Sequence, residues 1–155
     1  DVPFDRLQDP EAILNWPQTL GRDGARTPMP WTGAKDGGFG SDDPWLPLDP
    51  AHLAYNVEQQ DADAGSILNW CRQAIALRHA HDALRCGSVR LLDEDSAELV
   101  AFERREGDDR VNCVFNLSGK EVANPAVGGT LLLSCGGAQP GAAILPPASG
   151  YVASC

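Results

Sequence analysis

Between residues 21 and 31 the chain reads Gly-Arg-Asp-Gly-Ala-Arg-Thr-Pro-Met-Pro-Trp, and breakers packed this densely forbid any long helix or strand. The whole stretch from residue 1 to about 65 shares this character, rich in Pro, Gly, Asp and Trp and without sustained periodicity. So long a run without regular structure is foreign to a compact domain that stands alone. It makes sense as loops laid over a larger body. Within it, Asp9 to Trp16 predicts one short helix, with Asp9 as N-cap and Pro10 at its first position.

Two stretches of different texture follow. From Ser66 to His81, the residues Ile67, Leu68, Cys71, Ala74, Ile75 and Arg78 recur at the 3.6-residue period, and Trp70 and Leu77 widen the apolar side. This predicts an amphipathic helix capped by Ser66, with an apolar face for which the chain offers little covering surface. From Gly87 onward the pattern changes to short alternating runs. Ser88–Asp93 and Glu98–Glu106 are followed by a Gly-Asp-Asp turn and Arg110–Ser118, a hairpin signal. Further strands are expected in 120–127, 130–135, 142–147 and 151–155. Short strands separated by Gly and Pro predict an antiparallel sandwich or barrel. No internal repeat or low-complexity tract interrupts the three regions.

Composition removes several classes of function. The net charge of −10, with twelve scattered Lys and Arg, argues against a phosphate-binding stripe and so against nucleic acid. No apolar run approaches the roughly 20 residues of a membrane span. The opening DVPFDRLQDP lacks the basic start and apolar core of a signal peptide, so a cytoplasmic location is expected. The five cysteines, Cys71, Cys86, Cys113, Cys135 and Cys155, have wide spacings and no CxxC pair, which suits reduced thiols and leaves a disulfide open.

The segment Gly21–Trp31 strongly resembles a motif of oligo-1,6-glucosidases and α-glucosidases, members of the α-amylase superfamily (glycoside hydrolase family 13). In that group a similar RDGxRTPMPW stretch lies in the long loop after the eighth barrel strand. Gly38-Phe39 with Pro44–Leu48 is similar to the family's GF…PWLPV segment, and Asn56-Val57-Glu58 to its INVE segment. Ser66–Trp70 through Ala76–Arg78 resembles the last barrel helix, and Asn112–Ser118 a strand of the C-terminal domain. Order and spacing agree over roughly residues 1–120.

The resemblance implies a mixed fold. Residues 1–84 would be the tail end of a (β/α)8 barrel, its last loop and last helix, and residues 85–155 an antiparallel β-sandwich. The barrel strands would lie upstream, and that upstream barrel portion would be the chain's partner. Retaining glycosidases use two carboxylates about 5–5.5 Å apart, which this superfamily carries at the C-terminal ends of barrel strands. Those segments do not occur here, so no catalytic residue is assigned. Asp42-Asp43, Asp93-Glu94-Asp95 and Asp108-Asp109 are read as solvated turn residues. One family position carries over: the Arg before Thr-Pro-Met hydrogen-bonds the terminal glucose, which implies substrate binding by Arg26. A planar guanidinium suits that task, because its fixed donors pair with adjacent hydroxyls and a neighbouring carboxylate. Arg22 and Asp23 flank it, and either could orient it. Trp16, Trp31 and Trp45 are read as packing residues rather than sugar platforms.

The remaining signals fall away. Asp61–Ser66 lacks the Glu an EF-hand needs at its twelfth position, where Arg72 stands. His79 and His81, two apart on the expected helix, would face apart, and His52 is isolated. Asn116-Leu117-Ser118 matches a glycosylation acceptor but sits in an expected strand. No metal site and no cofactor is expected. The functional expectation is part of an exo-acting α-glucosidase that hydrolyses small malto- or isomalto-oligosaccharides or sucrose with retention, and that is inactive as this piece alone. The alternatives are a sucrose or maltose isomerase, a transglucosylase, a sugar-binding β-sandwich, or a transporter-ancillary relative.

Overall fold

The computed structural model describes residues 2–18, 20–41, 43–125 and 128–155. The chain falls into two units, Asp1–Trp70 and Cys71–Cys155. Asp42 and the Ala126-Val127 end of one expected strand lie outside the described residues.

The breakers of the first unit leave it without a strand among the described residues. Its elements are 3-10 turns at Phe4–Arg6, Asp23–Ala25 and Pro50–Tyr55, with helices α1 (Pro10–Leu14) and α2 (Val57–Ala62). Helix α1 starts as expected. The Asp9 carboxylate accepts the Glu11 N–H at 3.2 Å, and Pro10 fills the first position, where a missing N–H costs nothing. It stops at Leu14 because Asn15 caps it with both its backbone N–H and its side-chain amide on the Glu11 carbonyl. Asn56 is fully buried and caps α2, accepting from Gln59 N at 2.9 Å while donating back to the Leu53 carbonyl at 2.8 Å.

Helix α3 (Ile67–Ala80) begins at the expected cap: the Ser66 hydroxyl accepts the Asn69 N–H at 3.2 Å and donates to the Gln60 carbonyl at 2.6 Å. None of its residues is fully buried; Leu77 packs against the core of the second unit, while Ile67 and Ile75 are 77% and 59% exposed, so part of its apolar stripe is uncovered in this chain. The helix ends one residue short of the expectation. His81 adopts extended backbone and precedes α4 (Asp82–Cys86), so it does not share a helix with His79.

The second unit is the antiparallel structure that the alternation predicts. Strands β1 (Ser88–Leu91), β2 (Leu99–Glu106), β3 (Asp109–Asn116), β7 (Ser149–Ser154) and β5 (Thr130–Cys135) form one sheet in that order. Strands β4 (Val122–Ala123) and β6 (Ile144–Leu145) form a second, two-stranded sheet. The β2–β3 hairpin turns at Gly107-Asp108, where Gly107 takes φ 57°, and pairs Glu106 with Asp109. The expected strand at 120–127 pairs over only two residues. The Asn124 N–H adds one more bond in register, to the Ala143 carbonyl, and Pro125 has no N–H to continue the ladder.

Strand alternation sends side chains to two cores. Leu99, Ala101, Val114, Tyr151 and Ala153 meet Ala138 and Leu145 on one face, while Val111, Cys113 and Val152 meet Ala83, Leu77 and Leu84 on the other. Asp109 departs from its reading as a solvated turn residue. It opens β3, lies 3.0 Å from His81 Nδ1 and accepts the Ala83 N–H at 2.9 Å, and so ties α4 to the hairpin. The His81 hydrogen bond and that N–H hold its carboxyl below the usual range against the opposing effect of burial. Asn116 is 1% exposed and spends its amide on the Lys120, Leu145 and Pro146 carbonyls, a pin rather than a free glycan acceptor.

Candidate functional site

The site is built from two short segments of the first unit, residues 8–11 and 21–26, joined by two carboxylates. Asp9 and Asp23 are 1% and 2% exposed, and buried acids persist only when their lone pairs are met. Asp9 Oδ2 accepts the Arg22 N–H at 2.8 Å and Arg22 Nε at 2.9 Å, while Oδ1 accepts Glu11 N and Arg22 Nη2, each at 3.2 Å. Asp23 Oδ2 accepts Gln8 N at 2.7 Å and Asp9 N at 2.9 Å, and its Oδ1 accepts Arg26 Nη2 at 2.6 Å. The Arg22 side chain and N–H drive the Asp9 carboxyl far below the ordinary carboxylate range. Burial pushes Asp23 up, but the Asp9 and Gln8 N–H groups and the Arg26 guanidinium outweigh it and hold it low.

Local geometry aims Arg26. Asp23–Ala25 is a 3-10 turn, in which residues three apart eclipse, so Asp23 and Arg26 share a side. The Arg26 guanidinium then lies 5.1 Å from the Trp45 ring centroid and 3.8 Å from Asp9 Oδ2. Its side chain keeps 38% exposure, and of its three nitrogens Nη2 is the one hydrogen-bonded among the described residues, which leaves Nε and Nη1 as spare donors. The following Pro-Met-Pro-Trp run is tied down by α2, whose Val57 and Glu58 N–H groups donate to the Pro30 and Trp31 carbonyls at 3.1 and 3.0 Å.

Of the two flanking residues, Asp23 is the one hydrogen-bonded to Arg26, while Arg22 is turned to Asp9. Trp16 packs on Phe4 with ring centroids 5.4 Å apart, Trp45 carries the guanidinium, and Trp31 stays half exposed. A cavity of about 510 Å³ is lined by Trp16, Asp23, Gly24, Thr27, Asp49 and His52 among others, with Arg26 outside that lining. Asp9 was legible only as a helix cap. Its second role requires the chain to return at Arg22, which no local pattern announces. Among the described residues no cluster of three metal-ligating side chains occurs, and no helix is long and apolar enough to cross a membrane.

The family model of the α-amylase catalytic domain matches residues 2–87, the span that holds all of this geometry. The chain belongs to the α-amylase family. It is 41% identical over 118 residues to a probable α-glucosidase of Rhizobium meliloti (strain 1021), covering 76% of this chain and 21% of that protein. It is 36% identical over 120 residues to the probable oligo-1,6-glucosidase 2 of Bacillus subtilis (strain 168), covering 77% and 21%. Among solved structures, the α-glucosyl transfer enzyme XgtA superposes with a TM-score of 0.84 at 38% identity, over 99% of this chain and 30% of that one. The chain therefore spans about a fifth of the length of those relatives. The relatives are glycoside hydrolases by name, and this α-amylase family chain belongs to an enzyme family.

Proposed function

We propose that this chain is the C-terminal part of a retaining, exo-acting α-glucosidase, in which Arg26 binds the terminal glucose of a small malto- or isomalto-oligosaccharide or of sucrose. Residues 1–84 complete a (β/α)8 barrel in this reading, and residues 85–155 form a β-sandwich domain. The end of the catalytic-domain match at residue 87 supports that division. The exposed part of the α3 stripe, Ile67 and Ile75, supports an upstream barrel portion as the partner of this segment. The enzyme is cytoplasmic in this proposal.

The observation that carries the reading is the state of Arg26: held at one nitrogen by a buried carboxylate, backed by an indole, and open at Nε and Nη1. A guanidinium fixed on one edge presents its other donors at a set angle, which suits adjacent sugar hydroxyls. Anchoring the sugar's far end this way favours attack at chain ends over internal bonds. The two carboxylates of the retaining mechanism come from the barrel, one as nucleophile and one as acid and then base.

The test is hydrolysis of p-nitrophenyl α-glucoside by the chain alone and by the chain joined to its barrel portion. Release is expected only from the joined protein, and Arg26→Ala should lower its kcat/KM about 10- to 100-fold. Release by the 155 residues alone, or an unimpaired Arg26→Ala enzyme, would overturn the proposal. Glucosyl transfer is the second reading, favoured by the 38% identity to an α-glucosyl transfer enzyme over nearly the whole chain. Product analysis with maltose separates the two: glucose alone for hydrolysis, longer oligosaccharides for transfer.

A further inference from the structure

The contacts of Asp9 and Asp23 form a closed circuit. The Asp9 backbone N–H donates to Asp23, the Asp9 carboxylate takes Arg22, and Asp23 is the residue that follows Arg22. Neither acid can move without opening the other's bonds. Each also uses both carboxylate oxygens: Asp23 spends Oδ2 on two backbone N–H groups and Oδ1 on Arg26. An amide in its place has a single acceptor oxygen, so it serves the backbone or Arg26 and turns donors against the other. The same holds at Asp9, whose two oxygens share four donors. The two guanidinium groups differ in exposure: the Arg22 side chain is 71% exposed and Arg26 38%. Arg22 closes the circuit from outside, and Arg26 is the residue that the circuit aims.

We propose that Asp9 and Asp23 are an interlocked pair of positioning residues that set the direction of the Arg26 guanidinium. As a statement about function, this rests on the reading of Arg26 as the sugar-binding residue. Asp23 acts by direct contact, and Asp9 acts through Asp23 by fixing the segment on which Asp23 hangs.

The experiment has two arms. In the 155-residue chain, labelled with ¹⁵N, a guanidinium clamped at one nitrogen rotates slowly about its Nε–Cζ bond and gives resolved Nη signals. Arg26 is expected to show them, and Asp23→Asn and Asp9→Asn should each collapse them to one averaged line. A single averaged Arg26 line in the unmodified protein would overturn the proposal without any variant, which covers the case in which Asp23→Asn fails to fold. Resolved signals that persist in both variants would overturn it as well. In the chain joined to its barrel, each variant should lower kcat/KM by about 10- to 100-fold and by no more than Arg26→Ala does, since a misplaced group loses at most what its removal loses. Neither should deepen the loss when combined with Arg26→Ala. Losses that add to Arg26→Ala would make the two acids structural and refute their positioning role. If Arg26→Ala itself costs nothing while the Nη signals behave as expected, the sugar-binding reading fails and the geometry of the circuit stands.

Discussion

Gly21 is where the return of the chain is tightest, and replacing it tests the account of the first unit most directly. A Cβ built there would sit 2.3 Å from Ala12 Cβ, 3.1 Å from its Cα and 3.3 Å from its nitrogen, about 1 Å inside ordinary contact at the closest pair. Ala12 is 4% exposed on α1, and Arg22, the next residue along, donates its N–H to Asp9 at 2.8 Å. Room for the methyl therefore has to come from parting α1 and residues 21–22, which strains that bond. Gly21→Ala should destabilise the first unit by about 1–3 kcal/mol, the usual cost of overpacking. Ala12→Gly removes the atom that clashes, at a helix-propensity cost of about 1 kcal/mol. The double variant should therefore be more stable than Gly21→Ala alone, a coupling that a double-mutant cycle reads directly. The assay is urea unfolding followed by tryptophan fluorescence, because all four tryptophans, at 16, 31, 45 and 70, belong to residues 1–70. The far-UV signal of the sheet should hold its midpoint. An unchanged fluorescence midpoint in Gly21→Ala, or a double variant no better than the single one, would refute the close approach of these two segments.

Two further predictions concern the second unit. Tyr151 is 1% exposed and donates its hydroxyl to Asn124 Oδ1 at 3.0 Å, so Tyr151→Phe leaves a buried acceptor without that donor. It should cost about 1–3 kcal/mol by denaturant unfolding, and a loss below roughly 0.5 kcal/mol would contradict the bond. Asp109 is held below its unfolded value near 3.9 by His81 and the Ala83 N–H, so its contribution is present above that pH and is lost as pH falls through the folded value. Asp109→Asn should therefore be less stable than the unmodified protein at neutral pH and converge with it as pH falls below the ordinary carboxylate range, as read from urea midpoints. A gap that stays constant across that range would refute the assignment.

The legible parts of the fold were those encoded within a few residues. Asp9-Pro10 and Ser66 announced their helices, and Gly107 between alternating runs announced the hairpin, because caps and tight turns are satisfied locally. The antiparallel character of residues 88–154 was legible from the same alternation. The strand order was not, since β7 takes its place between β3 and β5 through contacts that span the whole unit. At the site, Arg26 stood out through a motif, and Asp23 was one of two candidates beside it. Asp9 was legible as the cap that it is, but not as a site residue, because its other three bonds come from Arg22, thirteen residues away. The His81–Asp109 contact was hidden for the same reason: His81 was expected on a helix and Asp109 in a solvated turn, and only the fold puts one against the other.

The interior position of β7 bears on the order in which the sheet is assembled. Strands β1, β2 and β3 are consecutive antiparallel neighbours and can zip as soon as they are made. Strand β5 follows them in the chain, but among the described residues it has no ladder with any of them and pairs with residues 150–154 of β7. On a growing polypeptide Thr130–Cys135 must wait with its edge open, and so must the outer edge of β3, until the strand that fits between them is synthesised. Losing that strand would not trim the sheet from one side. It would leave a three-stranded meander and an orphan ribbon with two unpaired edges in one nascent chain, which is the state a ribosome-bound chaperone would meet.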